Sequence, residues 1–196
     1  TVQSEKYEKP IAIKSSLLLK AVTVVDGQIK GLQAAKQNFV MHKGVGSSIN
    51  YTNPVSQYYL ADGPNSLIDG VRGTSIVGKY WHGFSGKDLI ATVDLGQAKS
   101  IKNISLGCLQ NYSDWIFLPR SVKFEVSTDG KTFTEVKTVS NPVDINQKSA
   151  MHNFSTAFSP QLVRFVRVTA TNTICPVGHS GAGKPGWLFA DEIMID

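Results

Sequence analysis

The stretch WIFLPRSVKFEVSTDG (Trp115–Gly130) decides the fold class of this chain. Within it Val122, Phe124 and Val126 alternate with polar residues, a period of two that is typical of a strand with one buried side and one wet side. The following Asp129-Gly130 predicts a hairpin turn, because glycine adopts a positive φ without a steric penalty. After the turn, Phe133 and Val136 start the returning strand. The stretch therefore predicts an antiparallel hairpin.

Short strands of the same kind recur along the chain. DLIATVDLG (Asp88–Gly96) and VRFVRVTA (Val163–Ala170) are two clear examples, and turn residues separate them at fairly regular spacing without any sustained helical period. Residues 44–196 are therefore predicted to form an all-β, antiparallel jelly-roll β-sandwich of about eight strands. Its predicted core includes Val93, Val122, Phe124, Val126, and either Phe165 or Val166. Such folds usually place their function in the loops at one end, which favours binding over catalysis.

The N-terminal part has a different organisation. Ile11–Ile13, Leu17–Val25 and Ile29–Val40 are strand-like, and Asp26-Gly27 predicts a hairpin turn between the last two. Two or three strands bury too little surface to be stable alone. Residues 1–43 are therefore predicted to be the tail of a preceding small β-domain, or to pack on the sandwich. The chain opens at Thr1 without an initiating Met, which favours a piece of a longer protein.

The charge distribution argues against a nucleic-acid partner. The formal net charge of the 196 residues is +5, but residues 1–43 hold seven Lys against three acids, and the remaining 153 residues hold thirteen cations against twelve acids. Four of the twenty cations are Arg, and no basic stripe interleaves with aromatic residues. No apolar run is long enough to span a bilayer.

Three apparent catalytic motifs do not hold up. Gly178–Lys184 resembles a phosphate-binding loop, but Pro185 stands where a magnesium-binding hydroxyl is needed. Asp191-Glu192 could pass for a glycosidase acid pair, yet neighbouring residues on a strand are expected to point to opposite faces. The four histidines show neither zinc-ligand spacing nor a nearby nucleophile motif: His42, His82, His152 and His179.

Two cysteines give no information about the compartment. Cys108 lies in an alternating strand, where a buried free thiol is the default, and Cys175 ends another strand. A disulfide between them stays open, because sequence does not test its geometry.

A family resemblance follows from motifs in a fixed order: LIDG (Leu67–Gly70), Thr74, Trp81, DLIATVDLG, FEVSTDGKTF, RFVRVTA and ADEI (Ala190–Ile193). Residues 44–196 resemble a coagulation-factor type C (discoidin, F5/8 type C) domain, and more narrowly a family 32 carbohydrate-binding module. The resemblance implies a galactose-binding-domain-like sandwich. Trp81 matches a structural Trp of the family and is expected in the core, and Trp187 is also expected to be packed.

Three segments are similar to the C-terminal region of bacterial family 20 β-hexosaminidases: GKYWHGFSGKDLIATVDLG, LQNYSDWIFLPR and GKPGWLFADEI. The resemblance implies a non-catalytic accessory module of a secreted β-N-acetylhexosaminidase, extracytoplasmic and partnered by that enzyme's catalytic domain. The module would target the enzyme to glycans of the galactose, GalNAc or GlcNAc type. The alternative is a structural spacer that docks on the catalytic barrel and binds no sugar. Membrane binding would need apolar loop tips, for which Trp115–Leu118 is the one candidate.

The family resemblance also implies a structural Ca²⁺ site. Its matching positions are Asp69, Thr74 and Glu192, with carbonyls near Leu67 and Arg72. Hard oxygen ligands from distant segments suit calcium. Val71 departs from the pattern, because an acidic residue often stands two positions after the Asp.

The sugar site is expected in the loops at one end of the sandwich. Sugars are amphipathic, so their sites combine an aromatic face with planar polar groups. Trp115 is the first candidate for the stacking platform, and a loop aromatic that plugs the end of the sandwich is the alternative reading. The other predicted sugar-binding residues are Asn111, Tyr59, His82, Phe84 and His179. Gln110 stands near the position of an Arg that many galactose-binding members carry.

Overall fold

The structure is a computed structural model that describes residues 3–196. Within these residues there are nine strands and two short 3₁₀ helices, Ser66–Ile68 and Tyr112–Asp114. The strands are β1 (Leu17–Val25), β2 (Gln28–Phe39), β3 (Ser48–Tyr51), β4 (His82–Ser85), β5 (Leu89–Asn111), β6 (Ser121–Ser127), β7 (Thr134–Ser140), β8 (Ser149–Thr171) and β9 (Trp187–Ile195). No helix in the described part has the length and apolar character needed to cross a membrane.

Two long antiparallel strands, β5 and β8, build both layers of the sandwich. The first half of β5 pairs with β3 on one side and with the end of β8 on the other. The end of β8 also pairs with β6, and β6 pairs with β7. The second half of β5 pairs with the start of β8 and with β9, whose other neighbour is β4. Register shifts between Asp94 and Lys99, and between Ile101 and Asn103, mark the crossover. The predicted antiparallel β-sandwich is confirmed.

The core lies between the two layers. Val93, Val122, Phe124 and Val166 are fully buried and Val126 is 6% exposed, as the alternating pattern predicted. At the alternative position Phe165 is only partly buried. Cys108 belongs to this core, and both cysteines are free and buried, so the structure contains no Cys108–Cys175 bridge.

A second, smaller cluster covers the outer face of the β5–β9 layer. Trp81, Leu109, Ile116 and Phe189 form its buried centre, and Trp81 is fully buried as predicted. The long connection between β3 and β4 supplies part of this cover. The cluster matters for function because it brings that connection next to the loop after β5.

The strands β1 and β2 form their own two-stranded sheet, separate from the sandwich. Asp26 (φ 50°) and Gly27 (φ 72°) make the predicted turn, whereas residues 11–13 form no strand. The hairpin meets the sandwich at its base, where the Val40 N–H donates to the Gly70 carbonyl and the Arg72 N–H to the Asn38 carbonyl. Several apolar side chains of the hairpin are exposed: Leu18, Val24, Val25, Ile29 and Leu32. Its assignment to a preceding domain stays a prediction.

Candidate functional site

An aromatic-walled cleft of about 260 Å³ opens where the loop after β5, the start of β9 and the β3–β4 connection meet. It is lined by Tyr59, Val77, Asp114, Ile116, Trp187 and Phe189. Two of these side chains, Ile116 and Phe189, are buried and form its floor, while Tyr59 and Trp187 are half-buried and form its walls. The cleft therefore offers aromatic faces beside an apolar floor.

The aromatic walls are held by edge-to-face and tilted ring contacts. The Tyr59 ring centroid lies 5.3 Å from that of Trp187 and 4.8 Å from that of Phe189, with interplanar angles of 78° and 57°. Trp187 and Phe189 are nearly perpendicular at 5.9 Å. Gly83 on β4 allows this approach, because a Cβ there would lie 2.9 Å from the Tyr59 Cβ and 2.8 Å from the Phe189 ring. The rings therefore have fixed orientations.

The loop after β5 is tied to β9 through its backbone. Asn111 and Ile116 exchange backbone hydrogen bonds of 2.9 and 3.1 Å, which closes the loop on itself. The Trp115 carbonyl accepts from the Trp187 N–H at 2.8 Å. Trp115 itself has a positive φ of 63°, a conformation uncommon for a residue other than glycine. The loop is therefore pre-organised, with Asp114 projecting at the cleft.

Asp114 is the one charged side chain among the lining residues of the described chain. The Asn111 Nδ2 donates to its Oδ2 at 2.7 Å, so the carboxylate has a defined position. The carboxylate is exposed and makes no ion pair within residues 3–196. It is free to accept hydrogen bonds from a ligand.

Trp115 lies beside the cleft and does not line it. Its ring rests on Gly181, where a Cβ would overlap the indole, and makes an edge contact with His179 at 5.3 Å. His179 is 7% exposed; its Nδ1 accepts from the Gly181 N–H, so its Nε2 donates to the Tyr112 carbonyl at 2.9 Å. The pair braces the glycine-rich loop against the loop after β5. This geometry matches the alternative reading of Trp115 as an aromatic that plugs the end of the sandwich.

Two other predicted sugar-binding residues have no exposed surface. Phe84 is fully buried in the main core. His82 is fully buried as well, and its Nε2 donates to the carbonyls of Leu60 and Gly63 at 3.1 and 2.9 Å. Both predicted positions need correction, because a fully buried ring offers no face to a sugar. Tyr59 lines the cleft and Asn111 supports it through Asp114, so sugar binding by these two residues stays a prediction.

Trp187 packs against the second cluster as expected, but the sequence interpretation missed that its exposed part lines the cleft. In β9, Leu188 and Ala190 face the main core, so Trp187 and Phe189 face the other side of the sheet. The strict alternation at the start of β9 could have shown this, but which loops cover that outer side was not visible in the sequence.

Gln110 and the run Trp115–Leu118 are structural. The Gln110 side chain is fully buried, its Nε2 donating to the carbonyls of Asp144, Ile145 and Gln147. Ile116, Phe117 and Leu118 are at most 2% exposed. The run is therefore not an apolar tip for membrane contact, and that candidate is corrected.

Asp191 and Glu192 lie at a β-bulge opposite Gly107, where the β5–β9 register shifts. The Asp191 Oδ2 accepts from the Gly73 N–H and from the Arg72 Nε, each at 2.8 Å. The Glu192 Oε1 accepts from the Gly70 N–H at 3.1 Å. Both carboxylates thus reach the same loop. The expectation that they point to opposite faces is wrong, because the bulge adds a residue and breaks the alternation.

Glu192 and Asp69, here called the carboxylate pair, lie next to each other. Burial, and then the charge of Asp69, raise the pKa of Glu192 to about 10, and burial also raises the pKa of Asp69. The His42 Nε2 donates to the Glu192 Oε1 at 2.7 Å, while burial lowers the pKa of His42 to about 4. The imidazole is therefore neutral at pH 7, and it places no positive charge beside the pair.

The carboxylate pair supplies oxygen atoms of the kind that hard cations prefer. The buried Glu192 Oε2 has no hydrogen-bond partner within the described residues, which is unusual for a buried oxygen. The third predicted ligand, Thr74, is exposed in the next loop, its Oγ1 accepting from the Ile76 N–H. In the described chain no cluster of three or more His, Cys, Asp or Glu side chains gathers there. A cation would therefore need hydroxyl, carbonyl or water oxygens as well.

The fold is a galactose-binding-like β-sandwich of the kind seen in family 32 carbohydrate-binding modules (CBM32). Residues 48–184 match the F5/8 type C domain family, and the chain belongs to that family. The match extends across most of the sandwich, from the start of β3 to the glycine-rich loop before β9. No curated protein matches the chain significantly.

Several solved structures share the fold. CBM32-3 from a family 31 glycoside hydrolase of Clostridium perfringens superposes with a TM-score of 0.53 at 17% identity, covering 80% of this chain and 94% of that one. Chitosan-binding module 1 of a chitosanase/glucanase from Paenibacillus sp. IK-5 gives 0.51 at 14% identity, covering 80% and 98%. A C. perfringens CBM32 in complex with GalNAc-β-1,3-galactose gives 0.50 at 16% identity, covering 76% and 93%.

Proposed function

We propose that this chain binds glycans through the cleft between Tyr59 and Trp187. The observation that carries the proposal is the combination of two fixed aromatic walls, an apolar floor and one carboxylate in a single cleft. Sugars present C–H faces that stack on aromatic rings and hydroxyl edges that need polar partners. A cleft with both features at the loop end of a rigid sandwich suits such a ligand.

The comparisons support the same class of ligand. The similar modules are described as chitosan-binding, as a CBM32 of a glycoside hydrolase, and as a complex with GalNAc-β-1,3-galactose. For this chain we infer glycans of the galactose, GalNAc or GlcNAc type. The nature of the cleft also favours a non-catalytic role, because Asp114 is its single carboxylate and a glycosidase site uses two.

The binding module is proposed to serve a secreted β-N-acetylhexosaminidase. The similarity of three segments to the C-terminal region of family 20 enzymes supports this parent and an extracytoplasmic location. Targeting would act by holding the catalytic domain close to its substrate, which raises the effective concentration. The hairpin of β1 and β2 would then belong to the preceding small β-domain.

The carboxylate pair is proposed to hold a structural Ca²⁺. Asp69, Thr74 and Glu192 would bind it, and the unpartnered Glu192 Oε2 supports this assignment. The ion would favour the ionised form of both carboxyl groups, displacing the Glu192 proton, and would join the β3–β4 connection to β9.

A direct binding measurement tests the proposed function. Titration with GlcNAc, GalNAc and galactose glycosides, followed by indole fluorescence and calorimetry, should give saturable binding, with Trp187 as the reporter. If none of these glycosides binds at millimolar concentration, glycan binding is refuted.

The second candidate function is a spacer that docks on a catalytic domain without binding sugar. The exposed apolar side chains of the hairpin favour it, since Leu32 is fully exposed and Leu18 is 52% exposed. An isolated two-stranded sheet is only marginally stable in water, so a partner surface is expected to cover it. Absence of sugar binding together with tight binding to the catalytic domain would favour the spacer.

A further inference from the structure

We propose that the cleft selects uncharged 2-acetamido sugars, with the acetamide methyl on the floor and the amide N–H donated to Asp114. This inference rests on the proposed glycan binding and specifies its ligand. It assigns Asp114 as the residue that determines specificity and Asn111 as its positioning residue.

The charge of the cleft excludes acidic sugars. Asp114 is the one charged group among the lining residues, and no Lys or Arg of the described chain lines the cleft with it. A uronate or sialate carboxylate would approach an unpaired carboxylate and find no cation. Two carboxylates brought together in the cleft repel each other, and removing water from both adds to the free-energy cost of binding. The ligand is therefore uncharged where it faces Asp114, and it offers that carboxylate a hydrogen-bond donor.

The floor of the cleft favours a methyl group over a hydroxyl. The floor residues Ile116 and Phe189 and the neighbouring lining residue Val77 offer no side-chain hydrogen-bonding atom. Ile116 and Phe189 are at most 2% exposed, and Val77 is half-buried. A hexose hydroxyl placed there would lose its water without gaining a partner, which is unfavourable. The methyl of an acetamide instead gains from leaving water. An amide also supplies an N–H for a nearby carboxylate, so one substituent satisfies both features of the cleft.

Asn111 orients the carboxylate for this contact. Its Nδ2 donates to the Asp114 Oδ2, and its Oδ1 accepts from the Ser113 Oγ at 2.9 Å. Both polar groups of Asn111 are thus engaged inside the loop, and the Asp114 Oδ1 is left for the ligand. Asn111 acts on the sugar through Asp114, which differs from the direct contact expected from sequence.

The test compares sugars that differ in one substituent. Calorimetry of the whole chain would use methyl glycosides of GlcNAc, GalNAc, glucose, galactose, glucosamine and glucuronic acid. We expect either GlcNAc to bind at least tenfold more tightly than glucose, or GalNAc to bind at least tenfold more tightly than galactose. Binding of the glucuronide should be undetectable. Tighter binding of glucosamine than of GlcNAc at pH 6 would overturn the role of the apolar floor.

Variants separate this inference from glycan binding itself. Asp114→Asn should weaken the binding of the acetamido sugar about tenfold, because a neutral acceptor replaces a charged one. It should also reduce the difference in affinity between the acetamido sugar and the glucuronide. Asn111→Ala should give a smaller loss. Glu135→Gln on β7, an acid outside the lining, is the matched control and should change nothing.

The outcomes are distinguishable. If Asp114→Asn binds all sugars as the parent does while Trp187→Ala loses binding, the glycan site stands and the inference falls. If the parent binds no sugar, both fall. Unchanged melting temperatures of Asp114→Asn and Asn111→Ala would show that their losses come from the cleft and not from unfolding.

Discussion

Replacing Trp187 by alanine should abolish most of the glycan affinity while leaving the sandwich folded. Trp187 is half-buried, so only the exposed part of its ring is available to a ligand. If a sugar covers about 50 Å² of that ring, the lost burial at about 25 cal/mol per Å² amounts to roughly 1.3 kcal/mol. This corresponds to about a tenfold increase in Kd.

The same substitution also removes a packing partner of Tyr59 and Phe189, so the fold needs its own measurement. The backbone tie to the loop after β5 does not depend on the indole, because it uses the Trp187 N–H and the Trp115 carbonyl. Circular dichroism should therefore show the sandwich intact, with a lowered Tm. Trp187→Phe keeps an aromatic face and should recover part of the affinity.

Tyr58 provides the matched control for the other wall. Tyr58 is 79% exposed and lies outside the cleft lining, whereas its neighbour Tyr59 forms a wall. Calorimetric titration with the best-binding glycoside should show a loss for Tyr59→Ala and none for Tyr58→Ala. Parent-like affinity in both folded Trp187→Ala and Tyr59→Ala would refute the assignment of the cleft.

Three further predictions concern stability. Gly107→Ala should destabilise the domain by about 2–3 kcal/mol, measured by urea unfolding, because its methyl would overlap the Asp191 carboxylate at the bulge; a parent-like midpoint would contradict this packing. Calcium at about a hundred times its Kd should stabilise the fold by about 2.7 kcal/mol through the carboxylate pair, and equal Tm in calcium and in chelator would rule the site out. The Arg167 guanidinium donates to both carboxylate oxygens of Glu125 and holds the pKa of Glu125 below its ordinary value. The stability that this ion pair contributes is present above the pKa of Glu125 in the unfolded chain, and it is lost as the pH falls through the lower pKa of the folded state. Glu125→Gln should therefore cost about 1 kcal/mol at pH 7, and thermal melts should show the difference shrinking below about pH 4. A difference that grows in acid would refute the sign.

Much of the architecture was predictable because it depends on local pattern. The period of two at Val122, Phe124 and Val126 determines which side of β6 is apolar, and that side must be buried. Asp129-Gly130 and Asp26-Gly27 mark turns because few residue pairs adopt positive φ readily. The order of motifs along the chain was enough to indicate the family.

The candidate site was predictable only in part. The sequence placed aromatic and polar residues in the loops, and Tyr59 and Asn111 belong to the cleft or support it. His82 and His179 look like binding residues in a sequence, since imidazoles bind many ligands. In the structure a ring nitrogen of each histidine donates a hydrogen bond to a backbone carbonyl of a neighbouring loop. A local sequence pattern does not predict such contacts between loops.

What the sequence by itself determined is the position of most of the strands it predicted, several of the turns, and the apolar side of strands such as β6. Tertiary structure alone decided which outer faces are covered and which side chains meet. Trp187 lines a cleft because the β3–β4 connection and the loop after β5 leave a gap above it. Asp191 and Glu192 both contact the loop at residues 70–73 because β9 bulges at these two residues. Gly107, far away in the chain, leaves room for the bulge. Alternation is a property of a single strand, whereas covering and register depend on contacts between distant segments.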